Sequence, residues 1–167
     1  MKILIVPNMA GKPWNGSTIY QEALGGSESA VVYMARGLAR SGADVHVLCS
    51  GEPGKFDGVQ YYHTSQFASL LSQSWDVLVV SRWIEILTQP WQAAYRVLWL
   101  HDLPRQQGLQ LQCNKVFCIS EFQRAVWGIQ PEWVYATSDG VDLQVFTPGS
   151  YRDVNKLVWI SNPDRGL

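Results

Sequence analysis

His101 closes the apolar run "YRVLWLH" and is followed at once by Asp102, Leu103 and Pro104. An imidazole at the end of a strand projects at the rim of a sheet, where it can donate to a sugar hydroxyl or titrate near neutral pH. A lone histidine more often serves structure, and that plainer reading is taken for His46, inside "DVHVLC", and His63, after "YY". Gly25 and Gly26 open "GGSES", with Ser27 and Glu28 next, just ahead of a helical pattern. Lacking Cβ atoms, they let backbone N–H groups approach a ligand, and the helix dipole favours a phosphate or a carboxylate there. The plainer reading of a single "GG" is an ordinary glycine-rich helix start. Ser120 and Gln123, in "SEFQR", have capping-box spacing, so Ser120 is first a helix cap and second, by its location, a ligand contact. Trp14 sits in a polar stretch with Asn15 and Gly16, where aromatic surface suits stacking on a sugar or a partner.

These residues need strands and helices to hold them. Short apolar runs recur at 2–7, 44–49, 76–81, 95–101, 115–120, 132–137 and 156–161, and most are continuous rather than alternating, the pattern of strands buried on both faces of a parallel sheet. Between them, "SESAVVYMARGLARSG" (27–42) places Ala30, Val31, Met34, Ala35 and Leu38 at the spacing of a buried helical stripe, with Ser27 as cap and Gly42 as stop. Strand and helix in alternation mean an α/β fold with right-handed crossovers. In such a sheet the strand from Lys2 to Pro7 is central, and the loops at 25–28, 101–104, 120–124 and 138–142 gather at the carboxyl edge. The "SDGVD" segment at 138–142 itself has turn chemistry and reads as a connector. The excursion from Asn8 to Leu24, rich in Gly, Asn and Ser, is expected to be the most mobile internal segment.

Composition removes several functions. A net charge of −1 with scattered Lys and Arg lacks the basic stripe of a nucleic-acid binder or a polybasic membrane patch. Cys49, Cys113 and Cys118 form no C-x-x-C pair and no ligand cluster, which indicates reduced cytoplasmic thiols and no structural metal. No apolar run approaches the roughly 18 residues of a membrane span, and the opening "MKILIVPNM" is too short for a signal peptide. The first strand runs into a long excursion, not a tight G-x-G-x-x-G turn, which disfavours NAD.

Taken in order, these pieces resemble the retaining glycosyltransferases of GT-B architecture, built from two facing Rossmann-like domains, and within them the large fourth family. The resemblance rests on the "GG" helix start, the strand ending in His101, the "S-x-F-x-R" start at Ser120, and the connector "SDGVDLQVFTP" (138–148), which has Asp139 where that family usually has Asn. It spans nearly the whole chain. The paired-glutamate signature of the family's donor domain does not occur here.

The resemblance implies a doubly wound, mainly parallel sheet over residues 1–150 as the acceptor-side domain. Residues 151–167 would then be a linker and the first strand and loop of a donor-binding domain. It implies that His101 touches the transferred sugar as the catalytic residue, that Gly25 and Gly26 approach the donor diphosphate or the acceptor, and that Arg165, in "SNPDRGL", meets the leaving diphosphate. Ser27, Glu28, Asp102, Ser120 and Trp14 complete the substrate-binding candidates. The nucleotide sugar is a substrate, with no cofactor or metal. The acceptor is a glycan, a lipid or a small molecule, and the location is cytoplasmic, in solution or at the inner membrane face. As an isolated half the chain is expected to be catalytically silent, with "KLVWIS" (156–161) pairing on a sheet edge of its own domain or of a second copy in a homodimer. Two competing classes stay open: a stand-alone sugar- or nucleotide-binding module, and an α/β interaction domain with no small-molecule site.

Overall fold

Ile3, Leu4, Ile5 and Val6 are consecutive, and all four are buried. Side chains alternate between the faces of a strand, so this pattern requires a strand covered on both sides. The computed structural model describes residues 1–9, 11–104, 111–138, 140, 142, 149 and 153–155. The strands are β1 (Lys2–Pro7), β2 (Asp44–Cys49), β3 (Gly54–Phe56), β4 (Val59–His63), β5 (Ser74–Ser81), β6 (Gln92–Trp99), β7 (Lys115–Cys118) and β8 (Val134–Ala136). The helices are α1 (Gly26–Arg40), α2 (Phe67–Leu71) and α3 (Glu121–Val126). They form an α/β architecture on one eight-stranded sheet of order β3-β4-β2-β1-β5-β6-β7-β8. Every neighbouring pair is parallel except β3 with β4.

β1 is interior, as expected. Ile3 is level with Val45 on one side and Val77 on the other. The chain builds outward from β1 through β2 to β4, then returns to lay β5 on the opposite flank of β1. That reversal is the topological switch point, and the crevice outside the carboxyl ends of β1 and β5 is where such sheets take ligands. One core packs α1, through Val31, Val32 and Ala35, against Ile3, Ile5, Val47 and Val79. The other holds Leu4, Val6, Leu78, Val80 and Leu98 beneath Leu70 of α2 and Trp91.

Several boundaries differ from the sequence reading, each for a local reason. The helix at 27–42 runs from Gly26 to Arg40 with Gly25 as N-cap, so Ser27 does not cap it and its hydroxyl is used elsewhere. Gly42 does mark the stop, with φ +91°. The run at 95–101 is a strand over Gln92–Trp99, which leaves His101 two residues past its end. Only half of 132–137 is strand, because Pro131–Trp133 form a 3-10 turn ahead of β8. The antiparallel β3–β4 hairpin, turned at Asp57 (φ +51°) and Gly58 (φ +83°), has no counterpart in the sequence reading. The "KLVWIS" run lies outside the described residues.

The excursion between β1 and α1 carries its own packing. Trp14 is 2% exposed and belongs to the α1-side core. The expectation that its indole is presented for stacking is therefore corrected. Burial follows from two close approaches that only glycine permits. A Cβ on Gly16 would lie 2.5 Å from the Tyr61 ring, and one on Gly51 would lie 2.7 Å from the Trp14 backbone, to whose carbonyl the Gly51 N–H donates. Asn15 Oδ1 accepts from the N–H and hydroxyl of Ser17, and Thr18 Oγ1 accepts from the Asn15 N–H, which folds the segment into a 3-10 turn at Thr18–Tyr20. The Tyr20 hydroxyl and the Arg36 guanidinium both reach the Asp57 carboxylate, tying the excursion, α1 and the hairpin together.

Candidate functional site

The continuous apolar run of β5 ends at Ser81, and the next residue, Arg82, takes a left-handed backbone with φ +67°. An L-residue there costs roughly 1 kcal/mol. The geometry is held by the Arg82 N–H donating to the Trp99 carbonyl at 3.1 Å. The guanidinium then spans the crevice. Its Nε–H donates to Asp102 Oδ2 at 2.6 Å, and its Nη1 donates to Ser27 Oγ at 2.8 Å. The Ser27 hydroxyl in turn donates to Glu28 Oε2 at 3.0 Å. One hydrogen-bonded chain, Asp102–Arg82–Ser27–Glu28, thus joins the end of β5, the segment after β6 and the first turn of α1.

Gly25 acquires a purpose that the sequence did not suggest. A Cβ there would sit 2.3 Å from Glu28 Oε2. The space that glycine leaves is therefore taken by the helix's own carboxylate, which complements the positive end of the dipole. Gly26 meets nothing within 4 Å, so its side of the turn is open.

The segment carrying His101 and Asp102 is anchored from α3. The Asp102 carbonyl accepts from Gln123 Nε2 at 3.2 Å and from the Trp127 indole at 2.9 Å. Gln123 is buried, and its Oε1 also accepts from the Ile119 N–H. Ser120 caps α3, its Oγ accepting from the Gln123 N–H at 3.1 Å. Its plainer reading therefore holds, and it is not among the cavity residues, although its neighbour Ile119 is. The half-buried His101 ring lies 4.5 Å from the Trp99 ring.

These groups surround a cavity of about 970 Å³. Gly25, Gly26, Ser27, Glu28, His101 and Asp102 all line it, and Ser138, Gly140 and Asp142 reach it from the segment after β8. It continues along the outer side of α1 past Tyr33 to Arg36 and Arg40. Three of the four loops expected to gather thus line one cavity, and the fourth, 120–124, adjoins them through the Gln123–Asp102 bond without lining it. Arg165 and Asp139 lie outside the described residues. Arg82 was not singled out from the sequence. The signal was present in "VVSRW", a lone cation directly after a continuous apolar strand, which is the same rim position that marked His101.

The thiols take no part in this chemistry. Burial pushes Cys49 up to about 11 and raises Cys113 and Cys118 as well, so all three are protonated and poor nucleophiles at neutral pH. Among the described residues, no group of three or more His, Cys, Asp or Glu could hold a metal ion, and no helix is long and apolar enough to cross a membrane. The arrangement offers two carboxylates, a guanidinium, a hydroxyl and an imidazole around an open volume, a set suited to a polyhydroxylated ligand. No family model, curated protein or solved structure matches the chain.

Proposed function

We propose that the chain works as the acceptor-side domain of a two-domain, retaining glycosyltransferase of GT-B type. In this reading it presents one wall of a cleft in which a sugar passes from a nucleotide donor to a glycan, lipid or small-molecule acceptor. The observation that carries the reading is the convergence of the α1 start, His101 and Asp102 on one large cavity at the carboxyl edge of a parallel sheet, beside its switch point. His101 touches the transferred sugar in this reading, and Arg82 holds Asp102 and Ser27 across the crevice. Donor nucleotide contacts belong, in the same reading, to a facing domain, and these residues supply the opposite wall of the cleft.

The test is a pair of measurements on the purified chain. Calorimetric titration with neutral hexoses should show weak binding that His101→Ala reduces. A panel of nucleotide sugars should show no turnover. Efficient transfer by the chain alone would overturn the half-enzyme reading, whereas hexose binding without transfer by any longer form containing this domain would favour the sugar-binding module.

A further inference from the structure

Two buried polar side chains stand in the row of residues that closes the sheet beneath the α1 N-terminus. In that row Pro7 of β1 is level with Ser81 of β5, which is level with Trp99 of β6. Residues level with one another in a sheet share a face, and those two apart on one strand do too. Trp99 lies in the core on the α1 side together with Val79, so Ser81 faces α1 as well. Ser81 is 1% exposed and Trp99 5%. Neither the Ser81 hydroxyl nor the Trp99 indole N–H finds a hydrogen-bond partner among the described residues. An unmet buried donor or acceptor is unfavourable, and these two stand side by side on β5 and β6, at the strand ends that open on the crevice. Trp99 is part of the cavity wall, as is Arg82, whereas Ser81 is not in the wall itself and lies level with Trp99 on the adjacent strand.

The charges nearby select the ligand. At the sheet end of the cavity stand the Glu28 and Asp102 carboxylates, and the one guanidinium among them, Arg82, is already bonded to Asp102 and Ser27. The other two cations of the cavity, Arg36 and Arg40, lie about 12 and 18 Å further along the helix axis at about 1.5 Å per residue. Arg36 is in addition paired with Asp57. The Glu28 carboxylate sits over Gly25, in the place an incoming anion would take at the helix N-terminus. An anionic group is therefore opposed here, while hydroxyls can donate to the carboxylates and accept from an indole N–H.

We propose that Ser81 and Trp99 form the floor of a subsite for a neutral, hydroxyl-bearing group of the ligand, with Arg82 as the positioning residue that holds Asp102 and the Glu28-bearing turn around it. This rests on the carbohydrate reading above and assigns this end of the cavity to a sugar ring and not to a diphosphate.

The experiment observes the indole N–H resonances of the uniformly 15N-labelled chain, which has eight tryptophans. Trp99 is assigned by the signal lost in Trp99→Phe. The probes are glucose, galactose and mannose at tens of millimolar, and inorganic pyrophosphate. The expected result is a shift of the Trp99 signal with at least one hexose and none with pyrophosphate, and a roughly fivefold weaker binding of that hexose in Ser81→Ala, about one hydrogen bond's worth. Should Trp99→Phe not fold, Ser81→Ala with the same titrations carries the test. A Trp99 shift with pyrophosphate and not with hexoses overturns the proposal in favour of an anion site. Hexose binding that leaves the Trp99 signal and the Ser81→Ala affinity unchanged overturns it too, as does the absence of any response. Transfer by a longer form containing this domain, without a Trp99 shift, sinks this proposal and spares the transferase reading, whereas a hexose-induced Trp99 shift with no transfer by any such form supports the proposal and favours the sugar-binding module.

Discussion

Arg82 combines two effects of opposite sign, which makes it the most informative residue to replace. Its φ of +67° costs roughly 1 kcal/mol that glycine does not incur, while its bonds to Asp102 and Ser27, in a half-exposed pair, return a similar amount. Arg82→Gly is therefore expected to change unfolding free energy by less than about 1 kcal/mol in urea titrations while weakening hexose binding severalfold. A loss of binding that merely tracks a large loss of stability would remove Arg82 from the site. Ionisation gives a second residue-level expectation. Asp44 is held below its ordinary value mainly by its hydrogen bond with His46. Its stabilisation is present above the ordinary carboxylate range and lost as the pH falls through the depressed folded value, so the acid limb of a Tm-against-pH curve should begin below about pH 4 and be shallower in Asp44→Asn. Cys49 works the other way. Burial raises it from 9.0 to about 11, so the folded state keeps its advantage below pH 9 and loses it as the pH rises to about 11. Tyr61 and Tyr62, raised chiefly by burial, share that alkaline limb, and Cys49→Ala should flatten it only in part.

Within the elements, glycines at three positions have three different jobs. At Gly16 a methyl group would meet the Tyr61 ring at 2.5 Å and the Phe56 Cβ at 2.8 Å, so Gly16→Ala should cost about 1–3 kcal/mol by overpacking. Gly26, at the first position of α1 with nothing within 4 Å, should tolerate alanine at no cost or with a gain of up to about 1 kcal/mol. At Gly25 the methyl group would strike only the movable end of Glu28, so Gly25→Ala should leave stability nearly unchanged and displace the carboxylate. Chemical denaturation of the three variants in parallel checks the order Gly16→Ala least stable, Gly26→Ala most. The same elements show what a sequence exposes. Five of the six interior strands and α1 were legible because burial on both faces writes itself into consecutive residues such as Ile3–Val6, and burial on one helical stripe into spaced ones such as Val31, Val32 and Ala35. The fate of Trp14 was not, because the hollow that receives it is made by Gly16, Gly51 and Tyr61, the last two far away in sequence. Nor was the β3–β4 hairpin, whose strand Gly54–Phe56 is too short to show alternation. His101 was legible as a rim residue, but the link of its neighbour Asp102 to α1 was not, since that runs through Arg82 from a third element.

For the molecule as a whole, the sheet order decides how the chain can fold. Four buried residues of β1 need partners on both flanks, and Ile3 is level with Val45 on one side but with Val77, 74 positions on, on the other. Contacts this distant in sequence place the chain among slow folders, where loop closure must be met before native contacts reward it. Synthesis adds a delay. At about 5–20 residues per second, β1 waits on the order of 4–15 s for β5 to be made, with an apolar edge open in the meantime. Nascent chains stopped before Ser74 should therefore be protease-sensitive throughout, and those that include Ser81 should gain protection at β1 and β5 together. The crevice that carries the candidate site thus cannot form until β5 is made, since β1 and β5 are the two strands that meet there, and any ligand seated in it acts on the pairing that joins the two halves of the sheet.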